Sequence, residues 1–224
     1  MAETMDYDGI VRMITGAVAS IRAHHEHLSQ LDTAIGDGDH GSAMMRSMDA
    51  VEKALSEADG SDAKSMLYNV GWGVMSAAGG APGPLLGSFF MGLSEGVAGR
   101  AELDCAALAA AFEAGLAGMQ KQSKAQPGDK TMMDALVPAV EALRAAAGAS
   151  KGIDEAMADA ADAAARGAEA TKDMLAKFGK ARNMGERTLG HADAGATSIS
   201  YIFRGFADAL KAHGPATPKL REGG

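Results

Sequence analysis

Several features that sort proteins into classes are scarce in this 224-residue sequence. Aromatic residues make up 4% of it, and the single cysteine, Cys105, leaves no partner for an internal disulfide. The formal net charge is -8, whereas binding to a nucleic-acid backbone normally requires a clustered surplus of Lys and Arg. The composition therefore excludes a disulfide scaffold and predicts no nucleic-acid partner.

Long apolar runs are also missing. No stretch reaches the roughly 18 apolar residues that a membrane-spanning helix needs. Residues 1–8 have neither the basic start nor the apolar run of a signal peptide. We therefore expect a cytoplasmic protein without a membrane partner.

Alanine, in contrast, is abundant, with 48 residues, and 47% of the sequence is hydrophobic. This composition, together with few β-branched runs, favours closely packed helices over sheets. Apolar residues recur at helical spacing and predict an all-α protein. The predicted helical segments are 6–29, 40–57, 61–78, 83–98, 104–122, 130–147, 151–176 and 194–212.

The connections between these segments are short, which is typical of antiparallel helical neighbours. They predict an up-and-down bundle or a closed helical barrel. No extended linker rich in Pro and Gly is visible, so we expect a single domain over residues 1–213 and a flexible tail over 214–224. Trp72, which lies between two glycines in an apolar segment, is expected in the core.

An acidic, glycine-rich interruption separates the first two predicted helices. The helical pattern stops at Gln30 and resumes near His40, and Asp32, Asp37 and Asp39 lie between them with Gly36 and Gly38. Glycine allows tight backbone turns, so the three carboxylates can converge on one cation. Oxygen-only ligands favour Mg²⁺ or Ca²⁺, and the spacing does not match an EF-hand, which leaves Mg²⁺ as the preferred ion. The alternative is an Asp-rich cap and turn that begins the next helix.

Three further loops combine glycine with polar residues. Residues 79–87 form either a tight helical corner or a close backbone approach to a ligand. Residues 185–198 contain Asp193, which either caps a helix or accepts a hydrogen bond from a ribose hydroxyl, and Asp129 is the expected cap of the helix after Gly128. The helix start at His40 also favours a phosphate. Alternate connections of an up-and-down array share one end, so several of these loops can meet there.

Four motifs, taken in order, resemble the DhaL-type ADP-binding subunit of bacterial dihydroxyacetone kinases over nearly the whole chain. They are Leu-Asp-Thr-Ala-Ile-Gly-Asp-Gly-Asp-His-Gly at 31–41, Gly-Gly-Ala-Pro-Gly-Pro-Leu-Leu-Gly-Ser-Phe-Phe at 79–90, Pro-Gly-Asp-Lys-Thr-Met at 127–132 and Gly-Glu-Arg-Thr-Leu-Gly-His-Ala-Asp-Ala-Gly-Ala-Thr-Ser at 185–198. The resemblance implies a closed barrel of eight antiparallel up-and-down helices with the nucleotide at one end.

The resemblance also implies a role for individual residues. Asp32, Asp37 and Asp39 are expected to hold two Mg²⁺ ions that bridge the phosphates of ADP or ATP. The phosphates are expected to contact residues at the helix start and at the second motif, namely His40, Gly41, Ser42, Ala43, Ala81 and Pro82. The adenine and ribose are expected near Ser123, Met132, Lys180, Asp193, Ala194 and Gly195.

The implied activity is that of a phosphotransferase subunit. It would pass a phosphoryl group through Mg-bound ADP or ATP to a small ketose held on a separate ketose-binding subunit. The donor would be a phosphohistidine protein of the phosphotransferase system or free ATP, and a homodimer is a further expectation. The alternative is a regulatory module that docks on a transcription factor according to its nucleotide state.

The chain departs from the family pattern at four places. Pro82 stands where the family usually has Ser, Ser123 where Gly is common and Ala194 where Pro is common. Residues 179–183 read Gly-Lys-Ala-Arg-Asn in place of Gly-Arg-Ala-Ser-Tyr, so Lys180 or Arg182 takes the position of the arginine. These departures concern the phosphate and ribose contacts and leave the three aspartates unchanged.

Overall fold

The computed structural model describes residues 3–77 and 82–212, and nearly all of the regular structure in these ranges is helical. The prediction of an all-α protein is confirmed. The α-helices are α1 (Tyr7–Ile35), α2 (His40–Glu57), α3 (Ala63–Ala77), α4 (Pro82–Gly96), α5 (Cys105–Gln122), α6 (Met133–Gly148), α7 (Ile153–Ala170) and α8 (Ala194–Lys211), with 3-10 turns at Thr171–Asp173 and Lys180–Thr188. Ala81 and the predicted tail at 214–224 lie outside the described residues.

Aspartate side chains begin four of these helices. Backbone N–H groups in the first turns of α1, α3, α5 and α8 donate hydrogen bonds to Asp6, Asp62, Asp104 and Asp193, respectively. Each carboxylate satisfies an N–H that has no partner within the helix, which is the usual reason for Asp at this position. Asp193 is therefore a helix cap, one of the two interpretations that the sequence left open.

Three predicted boundaries are wrong. α7 ends at Ala170 instead of 176, because the chain passes into a 3-10 turn at Thr171–Asp173. α1 continues to Ile35 instead of ending near Gln30, because residues 31–35 can extend the helix and the first break comes at Gly36. α6 begins at Met133 without a side-chain cap, so Asp129 does not cap it. Asp129 instead accepts a hydrogen bond from the Gln126 backbone N–H at 2.8 Å.

Glycines bring neighbouring helices into close, antiparallel contact. A Cβ at Gly92 of α4 would lie 2.3 Å from the oxygen of Ala114 in α5, and one at Gly118 would lie 2.3 Å from the oxygen of Ser88. Residue 88 of α4 thus faces residue 118 of α5, and residue 92 faces residue 114. The two helices therefore run in opposite directions. The small residues let the two backbones approach where a larger side chain would collide.

The core contains a cluster of phenylalanine rings from three helices. Phe112 of α5 contacts Phe89 of α4, and it also contacts Phe203 and Phe206 of α8, with edge-on ring pairs 5.5 to 5.8 Å apart. Many alanines of α6 and α7 complete the core. Trp72 is not part of it: this side chain is 59% exposed on α3, so the expectation of a core residue is wrong. The apolar face of α3 is instead formed by residues such as Val70 and Val74.

Each α-helix contacts the next one along the chain, and α8 also contacts α1. Lys180 of the connection after α7 contacts Asp37 of the connection after α1, and Met132 of the connection after α5 packs against Gly195 at the start of α8, so these three connections lie together. None of the helices in the described parts of the chain is long and apolar enough to cross a membrane. The three connections that lie together carry three of the four unusual motifs.

Candidate metal and nucleotide site

The three aspartates of the first motif converge between α1 and α2. Asp32 lies in the last turn of α1, and Gly38 adopts a φ of 77°, which turns the chain back towards α2. One carboxylate oxygen from each of Asp32, Asp37 and Asp39 lies within 4.8 Å of the others. The predicted convergence is confirmed, although Asp32 reaches it from a helix and not from a loop.

The alternative interpretation, in which these residues serve as a helix cap, accounts for only part of the arrangement. Asp39 precedes α2 but makes no capping hydrogen bond. The backbone N–H of His40 donates to Asp32 at 3.2 Å, so one of the three carboxylates is engaged in this way. The exposed carboxylates of Asp37 and Asp39 have no such structural role in the helix start.

A lysine from a distant part of the chain lies against this cluster. The ammonium group of Lys180 donates to the Asp37 carboxylate and lies 3.7 Å from an oxygen of Asp39. The hydrogen bond from Lys180 lowers the pKa of Asp37, and the same bond raises the pKa of Lys180. The sequence placed Lys180 near the ribose or adenine, or in the position of the family arginine, whereas the structure places it directly at the acidic cluster.

The chemistry of the donor set fits a hard divalent cation. All the ligands are carboxylate oxygens, and three negative charges at this spacing repel one another unless cations neutralise them. Lys180 supplies one positive charge, which leaves the four groups with a net negative charge. Within the described residues, this is the group of carboxyl, imidazole and thiol side chains whose spacing suits a metal ion.

The first turn of α2 and the first turn of α8 meet beside the cluster. His40 is buried, and burial lowers the pKa of its ring, while Asp32, Asp39 and the backbone of Ala194 oppose that shift. Its Nε2 atom is buried without a protein partner. A buried imidazole with an unpaired ring nitrogen near Asp32 and Asp39 indicates a position where a ligand atom completes the hydrogen bonding.

The other residues of this helix start have clear structural roles. Gly41 packs against α1, because a Cβ there would lie 2.1 Å from the oxygen of His25. Ser42 is exposed and donates to the oxygen of Asp39 at 2.9 Å, and Ala43 is buried. Only Ser42 thus offers a polar side chain to solvent at this turn.

The start of α8 is joined to the loop before α6. A Cβ at Gly195 would lie 2.9 Å from Cγ of Met132, which is itself buried. Asp193 caps α8 through Ala196 N–H at 2.7 Å, and burial raises the pKa of its carboxyl group to about 6. Met132, Asp193, Ala194 and Gly195, which the resemblance assigns to one ligand, are therefore neighbours.

Two predicted residues stand apart from this group in the described contacts. Ser123 ends α5 and accepts a hydrogen bond from Ala125 N–H at 3.1 Å. Pro82 is the half-buried first residue of α4. Both lie towards the end of the array that carries the acidic cluster, but no described contact joins them to it.

Sequence reasoning missed two features of this end. One is Lys130, a buried lysine in the loop before α6. No pattern in the sequence predicts its contacts. The other is a set of exposed apolar side chains, Leu175, Phe178 and Leu189, between α7 and α8. Their segment also carries Lys180.

The fold and the site define an all-helical protein in which a carboxylate cluster and two helix starts meet at one end. Residues 34–208 match the DAK2 domain, and the chain belongs to this family.

Relatives in several bacteria are similar over most of the chain. The ADP-binding subunit DhaL of the PEP-dependent dihydroxyacetone kinase of Escherichia coli is 37% identical over 90% of this chain and 96% of its own length. The corresponding subunit of kinase 1 of Listeria innocua is 36% identical over 89% of this chain and 95% of its own. D-erythrulose kinase of Mycolicibacterium smegmatis is 32% identical over 94% of this chain, which spans 38% of that protein.

A solved structure has the same fold. The dihydroxyacetone kinase of C. freundii, crystallised in complex with AMP-PNP and Mg²⁺, matches 88% of this chain with a TM-score of 0.69 and 26% identity. This chain spans 33% of that kinase. The similarity thus concerns one part of a larger kinase chain.

Proposed function

We propose that this chain is the nucleotide-binding subunit of a small-ketose kinase of the dihydroxyacetone type. The observation that carries the proposal is the convergence of Asp32, Asp37 and Asp39 beside the unpartnered ring nitrogen of His40. Two relatives that match this chain over nearly their whole length are ADP-binding subunits. The contacts around the full series of helices support a closed barrel of eight antiparallel helices, with the site at one end.

The proposed metal site consists of the three aspartates. Two Mg²⁺ ions held there would neutralise phosphate oxygens and favour in-line phosphoryl transfer. Asp32 is held by α1 and by the His40 N–H, so its carboxylate is preorganised, whereas Asp37 and Asp39 are exposed and can adjust. The protein needs no covalent nucleophile for this reaction.

The nucleotide would lie across the starts of α2 and α8. The Nε2 atom of the His40 ring can donate one hydrogen bond to a phosphate, and Ser42 can donate a second. Asp193 and Gly195 with Met132 form the neighbouring surface for ribose and adenine. Ser123, Ala81 and Pro82 are proposed to complete the site from the ends of α4 and α5.

Lys180 would change partners when metal and nucleotide bind. In this structure its ammonium lies on Asp37 and Asp39. Its long, exposed side chain can turn from these carboxylates to an oxygen of the transferred phosphoryl group, where a positive charge stabilises the developing negative charge. This role corresponds to the position of the family arginine.

The ketose would be held by a second subunit that docks on the end that carries the site. Direct phosphoryl transfer requires the acceptor hydroxyl within a few ångströms of the phosphate. Leu175, Phe178 and Leu189 lie exposed beside Lys180 in the sequence and would lose contact with water on docking. The phosphoryl donor is proposed to be a phosphohistidine protein, as the names of the PEP-dependent relatives suggest, with free ATP as the other source.

Calorimetric titration of ADP with and without Mg²⁺ tests the nucleotide site. Asp37→Ala should weaken Mg-dependent ADP binding by about tenfold or more, because it removes a charged ligand. Asp49→Ala is the matched control, since Asp49 is an exposed aspartate of α2 that pairs with Arg22. Equal ADP affinity in wild type and Asp37→Ala would contradict the proposed metal site.

A second experiment tests the kinase activity. Wild-type protein is mixed with a ketose-binding subunit, dihydroxyacetone or erythrulose, and either ATP or a phosphohistidine donor, and sugar phosphate is measured. Its formation, and its loss in Asp37→Ala, are the expected results. ADP binding without any sugar phosphate from these ketoses and donors would contradict the kinase function and favour a regulatory module.

A further inference from the structure

Lys130 is a lysine buried in the loop between α5 and α6. Its relative exposure is 2%, and its φ is 59°, in the left-handed region that residues other than glycine seldom adopt. A buried ammonium group is costly unless hydrogen bonds and nearby charges compensate it. Its contacts therefore show what the protein gains by burying it.

The ammonium group bonds two backbone carbonyls that are far from each other in the sequence. Lys130 Nζ donates to the oxygen of Thr171 at 2.5 Å and to the oxygen of His191 at 2.6 Å. These two residues flank residues 172–190, which we call the bridging segment. Thr171 ends α7, where the helix dipole favours a cation. Lys130 thus joins the two ends of the bridging segment.

Other contacts hold the same segment at its ends and near its middle. Gly190 N–H donates to the oxygen of Lys172 at 2.8 Å, and the backbone N–H of Lys177 donates to the oxygen of Asp129 at 3.1 Å. The Lys177 ammonium also bonds the Asp129 carboxylate at 2.8 Å. The bridging segment therefore rests on the loop that contains Asp129 and Lys130.

The charges around Lys130 are mostly acidic. Burial lowers the pKa of its ammonium group, and Asp193, Asp134 and Asp173 oppose this shift. The Asp134 carboxylate is itself occupied by the N–H groups of Gly128 at 2.5 Å and Thr131 at 2.7 Å. The direct hydrogen bonds of Lys130 in the described chain go to the two carbonyls, so its main contribution is to connect backbone segments.

The bridging segment contains no α-helix, and most of it is exposed. Lys180 lies within it, with its ammonium on Asp37. Besides its ends, the segment is held by the contacts of Lys177 with Asp129 and by the bond from Ala176 N–H to Thr188 Oγ1 at 3.3 Å, so the joined ends help to determine where Lys180 lies.

We propose that Lys130 is a positioning residue: by joining both ends of the bridging segment it places Lys180 at the acidic cluster. The anchoring of the segment stands on these contacts alone. Its effect on nucleotide binding rests on the proposed function described above.

Hydrogen exchange of the ligand-free protein tests the anchoring. In Lys130→Met, which keeps an unbranched side chain one atom shorter and loses the charge and its donors, amides of residues 172–190 should exchange about tenfold faster or more. Lys130→Arg keeps the cation and its donors and should restore part of the protection. Lys172→Met, which removes an exposed lysine paired with Glu169, is the charge control and should leave exchange as in wild type.

The pattern of exchange decides the outcome. Faster exchange confined to the bridging segment, with the core amides of α4 and α5 unchanged, supports the proposal. Unchanged exchange in 172–190, or equally faster exchange throughout the helices, would overturn it, because Lys130 would then be dispensable or a general stabiliser of the fold.

A double-mutant cycle tests the link to Lys180. Lys130→Met and Lys180→Met should each weaken Mg-ADP binding, and the double variant should be about as weak as Lys180→Met alone, because both act through the same contact. Fully additive losses would overturn the positioning role. If wild type does not bind Mg-ADP, the proposed function fails, and the exchange experiment still decides the role of Lys130.

Discussion

The ammonium group of Lys180 lies against the carboxylate of Asp37, although 143 residues separate them in the sequence. The two side chains come from different connections, Asp37 from the one between α1 and α2 and Lys180 from the one between α7 and α8. The contact means that a cation of the protein itself occupies part of the space around the acidic cluster. A metal ion that binds there must compete with it.

Lys180→Met should therefore tighten Mg²⁺ binding in the absence of nucleotide. Exposed ion pairs contribute little, so the expected gain is roughly two- to fivefold. Calorimetric titration of Mg²⁺ into nucleotide-free protein measures it. Lys64→Met, which removes an exposed lysine paired with Glu95, should leave the affinity unchanged. Weaker Mg²⁺ binding in Lys180→Met would show that Lys180 and the metal do not compete.

Protonation of Asp193 should make the stability of the fold depend on pH. Burial raises the pKa of its carboxyl group to about 6, above the ~3.9 of an unfolded chain. The folded state therefore binds this proton more tightly, and the associated stabilisation is complete below about pH 4 and lost as the pH rises to about 6. The free energy of unfolding should fall by about 2 to 3 kcal/mol over this range on account of Asp193.

Urea unfolding of Asp193→Asn between pH 4 and 7 tests this expectation, because the variant should lose that decrease in stability. Asp104→Asn removes another capping aspartate, an exposed one at the start of α5, and should retain the decrease. A decrease of the same size in Asp193→Asn and in wild type would show that another group is responsible.

Gly16 and Gly205 fix the distance between α1 and α8. A Cβ at Gly16 would lie 2.2 Å from the oxygen of Gly205, so Gly16→Ala forces the two backbones apart. We expect a loss of about 1 to 3 kcal/mol in the free energy of unfolding. Gly148→Ala in the last turn of α6, where a Cβ meets nothing within 4 Å, should raise it by up to about 1 kcal/mol. Thermal or urea unfolding distinguishes the two, and equal effects would contradict the packing argument.

Pro82→Ser should strengthen binding of the nucleotide phosphates. Pro82 is the first residue of α4 and offers neither a backbone N–H nor a hydroxyl, whereas serine supplies both. One additional neutral hydrogen bond corresponds to an increase of about two- to tenfold in ADP affinity. Titration of ADP in the presence of Mg²⁺ measures this gain. Unchanged affinity would mean that the start of α4 does not contact the phosphates.

Composition and periodicity predicted the helices well, because amphipathic spacing depends on local sequence. They failed at Ile35, because the helix continues to the break at Gly36. They also failed at Met133 and Ala170, next to the contact between Lys130 and Thr171 that joins two distant connections. The 3-10 turn from Lys180 to Thr188 was not foreseen, since the segment is mostly polar and is interrupted by a kink at Gly185. Trp72 was assigned to the core because its neighbours in the sequence are apolar, but side-chain direction on α3 places it outside.

Some parts of the candidate site could be predicted from the sequence and others could not. The convergence of Asp32, Asp37 and Asp39 followed from their spacing and from Gly38. The position of Lys180 at Asp37 and the carbonyl contacts of Lys130 depend on how separate connections meet. Contacts between distant loops leave no pattern in a single segment of sequence, so only the structure reveals them.

The proposed antiparallel barrel separates the connections into two groups. In that arrangement the connections at 58–62, 97–104 and 149–152 lie at the end away from the acidic cluster, and a side chain at Gly60 or Gly99 would meet nothing within 4 Å. Insertions and substitutions in those three connections would not alter the aspartates. Insertions, epitope tags and fluorescent labels placed there should likewise leave the opposite end intact, which makes residues 58–62 a convenient site for engineering this protein.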